Sequence, residues 1–328
     1  MLSFHVYDTA YTDFFIRYLE SQNIEKNPKN LYNSISYMML LGGKRLRPVL
    51  TLIATEIFGS NFNLALPAAL AIETFHNSSL IHDDIIDDDP IRRGKPTVHK
   101  KWSTNTAILS GDAMIILTYK HLEKYAPDLA LQLIKAINKM ALEICEGQQL
   151  DVDFESRQNV SVSEYLKMIE YKTGSLIATS LKVGAIIAQA SQKNCDLIYD
   201  FGLNLGLAFQ LQDDYLDIYG DTPTFGRRLY GDIISNKKTY LYLKTLELLN
   251  ETDKEKLLKL FGVRLDDNTE KIKTVNKLYL ASGIADITQK EIQKYTFKAF
   301  ESLDKINIPE SKKKLLKDLG KELMNRRI

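Results

Sequence analysis

Proline and glycine are scarce in this 328-residue chain, at 8 and 16 residues. So few breakers leave long stretches free to run as helices. Cysteine is rarer still: Cys145 and Cys195 stand far apart and in no metal-ligand spacing. That excludes a disulfide scaffold and a cysteine–histidine zinc site, and reduced thiols suit a cytoplasmic compartment. Net charge is only +1, so no global field draws the chain to nucleic acid. No run approaches the roughly 18 apolar residues of a membrane span. The first residues lack the basic-then-apolar order of a signal peptide. An apolar ligand is therefore expected inside a fold with no integral membrane segment. The nucleotide phosphate-loop pattern Gly-x-x-x-x-Gly-Lys-Ser/Thr is also absent.

What is present is apolar helical periodicity. Hydrophobic residues make up 45% of the chain, ample for a core, and charged residues an ordinary 26%. From Leu64 to Ile86, apolar residues recur at three- and four-residue steps through Leu66, Ala69, Leu70, Phe75, Leu80, Ile81 and Ile85. The segments Ala107 to Leu122, Leu129 to Ile144, Leu176 to Ala190, Leu197 to Ile218 and Lys238 to Leu249 follow the same rule. Strand signals are weak, and Thr97-Val98-His99 is too short to matter. The expectation is one all-α domain over residues 1–328, with about ten or more helices. Basic runs near the carboxy terminus, Lys312-Lys313-Lys314 and Arg326-Arg327, are expected on a solvated face.

Two acidic segments interrupt the apolar pattern: Asp83-Asp84-Ile85-Ile86-Asp87 and Asp213-Asp214-Tyr215-Leu216-Asp217. Residues four apart share a helix face, so Asp83 projects with Asp87 and Asp213 with Asp217. Breakers follow both clusters, in Pro90 to Pro96 and in Asp221 to Gly226, so both lie near helix carboxy termini. Negative charge is unfavourable there, and like charges at this spacing repel. A hard divalent cation removes the cost. Mg²⁺ takes oxygen ligands and commonly bridges carboxylates to substrate phosphates. Two such carboxylate walls facing each other would hold metal and polyphosphate.

Cations accompany the carboxylates: Gly42-Gly43-Lys44-Arg45-Leu46-Arg47-Pro48, Arg92-Arg93-Gly94-Lys95, Lys172-Thr173-Gly174-Ser175, Arg227-Arg228 and Lys237-Lys238. Guanidinium forks match phosphate oxygens, and lysine supplies a point charge.

These motifs, with His82-Asp83-Asp84-Ile85-Ile86-Asp87 and Gly147-Gln148-Gln149-Leu150-Asp151, occur in the order found in the trans-prenyl diphosphate synthases. The chain resembles that polyprenyl synthetase family, geranylgeranyl diphosphate synthases included. The resemblance implies a single large helical bundle with a central cavity, the isoprenoid synthase fold, acting as a homodimer. It implies joining of isopentenyl diphosphate to an allylic diphosphate (dimethylallyl, geranyl or farnesyl). Mg²⁺ would be the cofactor, three ions with substrate bound, held by Asp83, Asp87 and Asp213, joined by Asp84 and Asp217. By matching positions, Lys44, Arg47, His76 and Arg93 are expected to hold isopentenyl diphosphate, and Arg92, Lys172 and Lys237 the allylic diphosphate. Thr173 and Gln210 would stabilise the developing cation, and Asp214 counts among the catalytic acids. Asp151 and Asp232 would support the metal cluster. Arg227 falls where the family commonly has lysine; it keeps the charge but changes the hydrogen-bond geometry.

Product length should follow the apolar space below Asp83. Ser79 and Ser78 stand four and five residues before it. Early-stopping members of the family often carry an aromatic at one of these places, so two serines imply a product of C20 or longer. Phe75 lies eight residues back, about 12 Å along the axis, and is the candidate floor. A C15 product is the alternative. A terpene cyclase would usually replace the second cluster with an Asn/Asp-Ser/Thr-Glu type motif. A non-catalytic partner subunit would tend to lose one cluster; here both are intact.

Overall fold

The structure, a computed structural model, describes residues 6–22, 26–220, 229–263 and 265–324. In chain order the helices are α1 (Val6–Glu20), α2 (Lys29–Leu40), α3 (Leu46–Ile57), α4 (Leu66–Ile86), α5 (Val98–Lys101), α6 (Thr104–Leu122), α7 (Pro127–Ser156) and α8 (Val162–Ile169). They continue as α9 (Ser175–Ile187), α10 (Gln192–Tyr219), α11 (Gly231–Ile234), α12 (Tyr240–Leu248), α13 (Glu251–Phe261), α14 (Thr269–Ser282), α15 (Ile284–Asp304) and α16 (Glu310–Met324). The all-α expectation holds. Among the described residues, extended structure is confined to a hairpin, β1 (Ile91–Arg92) with β2 (Lys95–Pro96).

That hairpin stands where the sequence suggested only a loop. Arg93 and Gly94, at φ 52° and 74°, fill its two-residue turn. Left-handed backbone at both turn positions matches the strand twist. Two strand residues per side carry no periodicity to read.

Contacts within the chain gather into two compact units. One comprises Met1–Ala141, Leu176–Tyr199 and Ile306–Ile308; the other comprises Leu142–Ser175, Asp200–Lys305 and Pro309–Ile328.

In the first unit α4 is the buried helix. Every residue from Ala68 to Ser78 is buried, as expected of a helix wrapped on all sides. It lies close against α6: a Cβ added at Gly111 would meet His82 Nε2 at 2.2 Å. Helices α3 and α9 approach as tightly. Thr51 and Thr55 donate to the carbonyls of Ser180 and Gly184, and a Cβ at Gly184 would meet the Thr51 carbonyl at 2.3 Å.

The second unit closes on a core including Tyr165, Ile169, Leu211, Leu241, Leu257, Val275 and Tyr279. Tyr242 and Phe261 stack within it at 4.1 Å. Lys313, expected on a solvated face, is buried on α16; it pairs with Glu310 at 2.8 Å and donates to the Asp304 carbonyl. Its long stem covers apolar surface while the ammonium finds oxygen.

Candidate active site

In the first unit α4 carries the first acidic cluster at its carboxy-terminal end. Its last helical residue is Ile86, and Asp87 is the C-cap. Asp84 is buried, and burial pushes its carboxyl above the ordinary range while Arg92 pulls it down. Arg92 Nε donates to Asp84 Oδ1 at 2.6 Å, and its Nη2 lies 3.7 Å from Asp83. The hairpin makes this possible by turning Arg92 back towards the helix end. Thr97 fastens the hairpin base by donating to the Asp89 carbonyl at 2.8 Å. Asp84 Oδ2 is buried and takes no hydrogen bond.

Arg93 goes elsewhere. Its guanidinium donates to the Gly42 carbonyl and lies over Gly43, where a Cβ would meet Cζ at 2.7 Å. Gly43 also has φ 106°. That backbone favours glycine, and a Cβ there would displace the Arg93 guanidinium.

His76 is buried on α4. Its imidazole is held well below the usual histidine range, first by burial and then by Arg47, Arg93, Arg92 and Arg45. It is therefore neutral near pH 7, in a strongly positive field. Of the expected isopentenyl diphosphate group, Arg47, His76 and Arg93 are thus brought together. Lys44 is exposed in the loop before Arg45.

Arg45 itself has a different duty, one the sequence reading missed. It stands at φ 50° as the N-cap of α3. Its guanidinium pairs with Glu73 at 2.5 Å and donates to the Met39 carbonyl. Asn77 adds a hydrogen bond to the same Glu73 oxygen at 3.0 Å. The pair fastens the 42–45 loop to α4, three residues before His76. A buried glutamate on an apolar helix was the available signal.

Phe75 and Ser78 are buried and Ser79 half-buried. Both serine hydroxyls turn back on their own helix, to the Phe75 and His76 carbonyls at 2.7 and 2.8 Å.

In the second unit the acids of the second cluster divide their tasks. Asp217 is the N-terminal acceptor for α11: its Oδ1 and Oδ2 take the backbone N–H groups of Gly231 and Asp232, each at 3.1 Å. A carboxylate there is favoured by the unpaired amides. Asp214 is buried and accepts from Tyr165 and from Gln210 Nε2. Burial raises its pKa, with those donors opposing. Asp213 is half-buried beside it.

Lys172 and Thr173 lie in a π-helical turn, Glu170–Gly174, between α8 and α9. Such single turns open a helix and frequently mark functional sites. Glycines admit this one: a Cβ at Gly147 on α7 would stand 2.5 Å from the Lys172 nitrogen, and one at Gly206 on α10 would stand 2.7 Å from Gly174 Cα. Lys172 pairs with Asp151 at 2.7 Å, and Thr173 donates to Gln210 Oε1 at 3.0 Å. Lys237 is exposed just after α11. Its neighbour Lys238 caps the end of α7 by donating to the carbonyls of Phe154, Glu155 and Arg157. Arg227 lies outside the described residues.

Within neither unit do three His, Cys, Asp or Glu side chains converge into a ready-made metal cage, among the described residues. The donor set is all carboxylate, and a buried oxygen on Asp84 lacks a partner. Both features fit Mg²⁺, which is commonly held by one or two carboxylates and completed by substrate phosphates and water.

The polyprenyl synthetase family model matches residues 28–279. A geranylgeranyl diphosphate synthase of Methanosarcina mazei is 41% identical over 222 residues, covering 67% of this chain and 68% of that protein. A crystal structure of a geranylgeranyl pyrophosphate synthase superposes with a TM-score of 0.94 at 46% identity, covering 99% of each chain. A geranylgeranyl pyrophosphate synthase from Corynebacterium glutamicum, solved with isoprenyl diphosphate and magnesium, superposes at 0.86 with 25% identity, over 99% of this chain and 100% of that one. This chain belongs to the polyprenyl synthetase family. It is a trans-prenyl diphosphate synthase, a prenyltransferase with the all-α isoprenoid synthase fold.

Proposed function

We propose that the enzyme condenses isopentenyl diphosphate with an allylic diphosphate and releases the C20 product, geranylgeranyl diphosphate. One observation carries this reading. Neutral His76, ringed by arginines, stands seven residues before Asp83 on α4. Two helical turns put both on one face, about 10 Å apart along the axis. An anion cradle and a carboxylate clamp on one rigid helix suit two diphosphates at a fixed separation.

Lys44, Arg47, His76 and Arg93 hold isopentenyl diphosphate; Arg92, Lys172 and Lys237 serve the allylic diphosphate, and Arg227 adds to the substrate-binding cations. Asp83, Asp84, Asp87, Asp213 and Asp217 are the carboxylates that would hold Mg²⁺, three ions with substrate bound. The metal's contribution is charge neutralisation on the departing diphosphate. The allylic C–O bond breaks and the diphosphate leaves with the electron pair. Thr173 and Gln210 stabilise the allylic cation. The isopentenyl double bond attacks it, forming the new C–C bond, and a proton passes to the released diphosphate.

The C20 limit rests on Ser78 and Ser79, small side chains whose hydroxyls fold back on the helix, with Phe75 as the proposed floor. Relatives named geranylgeranyl diphosphate synthases accord with that length; those named geranylfarnesyl diphosphate synthases make C25 the alternative. The enzyme works as a homodimer. Ile108, Leu109 and Ile116, exposed at 42, 60 and 68%, align on one face of α6, and a second copy is the partner that would cover them. Two free thiols accord with the cytoplasm.

The test is incubation of purified protein with isopentenyl diphosphate and each allylic primer, with and without Mg²⁺. A C20 product that requires the metal is expected. No elongation from any primer overturns the reading.

A further inference from the structure

Four groups in the second unit form one directed chain of hydrogen bonds. Tyr165 on α8 donates to Asp214 Oδ2. Gln210 Nε2 donates to Asp214 Oδ1 at 3.1 Å. Thr173 Oγ1 donates to Gln210 Oε1 at 3.0 Å. Tyr165 and Asp214 are buried.

The direction of this chain is set at its buried end. A carboxylate only accepts, so the Gln210 amide must offer Asp214 its NH₂ end. Its oxygen then faces Thr173. A hydroxyl facing a carbonyl oxygen donates, and that commits the threonine proton to Gln210. The lone pairs of Thr173 remain for a positive charge. Were the amide reversed, its NH₂ would occupy a lone pair and the threonine proton would turn outward, repelling a cation. A phenol is the right anchor for Asp214: burial holds Tyr165 well above the usual tyrosine range, so it stays a donor. Beside Gln210, Asp214 takes the Tyr165 phenol and the Tyr240 backbone N–H; losing the phenol removes a buried donor and gives the carboxylate a reason to shift.

We infer that Asp214 and Tyr165 are positioning residues that fix the orientation of the Gln210 amide and so leave the lone pairs of Thr173 free for the allylic cation. The inference rests on the proposed role of Thr173 beside that cation. It separates Asp214 from Asp213: adjacent acids in one cluster, one directed inward to an amide, the other proposed as a metal ligand.

A double-mutant cycle tests it, with kcat, both KM values and the half-saturating Mg²⁺ concentration measured for each protein. Thr173→Val should lower kcat about tenfold or more with KM values within about twofold. Tyr165→Phe keeps the ring and loses the donor; kcat should fall about tenfold with the Mg²⁺ requirement unchanged. In the Thr173→Val background Tyr165→Phe should cost nothing further, because its effect passes through Thr173. An equal loss in both backgrounds overturns the inference, and so does a raised Mg²⁺ requirement, which would mean that Tyr165 acts through Asp213. If Thr173→Val leaves kcat unchanged, the cation role of Thr173 itself falls. Should Tyr165→Phe fail to fold by circular dichroism, Asp214→Asn in the same two backgrounds decides the question.

Discussion

Arg45 and Glu73 form an ion pair at 2.5 Å whose two side chains are only 4% and 2% exposed. It joins the glycine-rich loop to the helix that carries His76 and the first aspartate cluster. Breaking such a pair leaves one buried charge uncompensated, at a cost of about 3–5 kcal/mol. Glu73→Leu should therefore lower the thermal midpoint sharply. Replacing both partners, Arg45→Met with Glu73→Leu, should recover much of that loss, since the remaining charge is gone. The double variant should still show a raised KM for isopentenyl diphosphate, because the loop bearing Lys44 and the first turn of α3 bearing Arg47 are no longer fastened. Scanning calorimetry and steady-state kinetics on the three proteins check both parts.

Chain length offers a second measurement. Ser78→Phe puts a ring where a hydroxyl now folds back to the Phe75 carbonyl. The product should shorten from C20 to C15, and Phe75→Ala should lengthen it. Chromatography of dephosphorylated products reads both. A wild type that already stops at C15 would mean that the serines do not leave usable space.

The apolar face of α6 predicts the assembly state. Leu109→Glu with Ile116→Glu places two charges where exposed apolar side chains now stand. A homodimer built on this face would dissociate, halving the mass found by sedimentation equilibrium. An unchanged mass would exclude α6 from the interface.

Acid stability should carry the signature of His121. Burial, followed by Lys124 and Lys120, lowers its pKa from 6.5 to about 4. The unfolded chain therefore binds a proton that the folded one refuses over the window between these values. Stability is full above pH 6.5 and falls as the pH drops towards 4. Between pH 7 and 5 the loss from this group is about 2 kcal/mol. His121→Gln should flatten that part of the profile, read from urea midpoints at the two pH values. An identical pH slope in the variant would remove His121 as the cause.

Much of the site was legible because it is local. Asp83 with Asp87, and Asp213 with Asp217, share helix faces by spacing alone. The motif order carried the family, and the resemblance implied roles for Lys172, Thr173 and Gln210. What the spacing could not supply was the partner of each charged group. Arg45 and Arg47 sit in one basic run, yet Arg45 is fastened to Glu73, 28 residues away. Lys237 and Lys238 are neighbours, yet Lys238 is occupied by carbonyls 81 to 84 residues back. The hairpin that aims Arg92 at Asp84 was invisible because two-residue strands have no period.

By itself the sequence determined the helices and the carboxylates stacked at their ends, because these depend on residues within a few positions of one another, while the order of its motifs carried the resemblance that implied the reaction class. Only the tertiary structure decided which arginine meets an acid and which meets a glycine loop. It also separated Asp214, bound to Tyr165 across 49 residues, from its neighbour Asp213. The physical reason is that hydrogen-bond direction and burial are set by whatever the fold brings within about 3 Å, and a contact across that many residues leaves no trace in local periodicity.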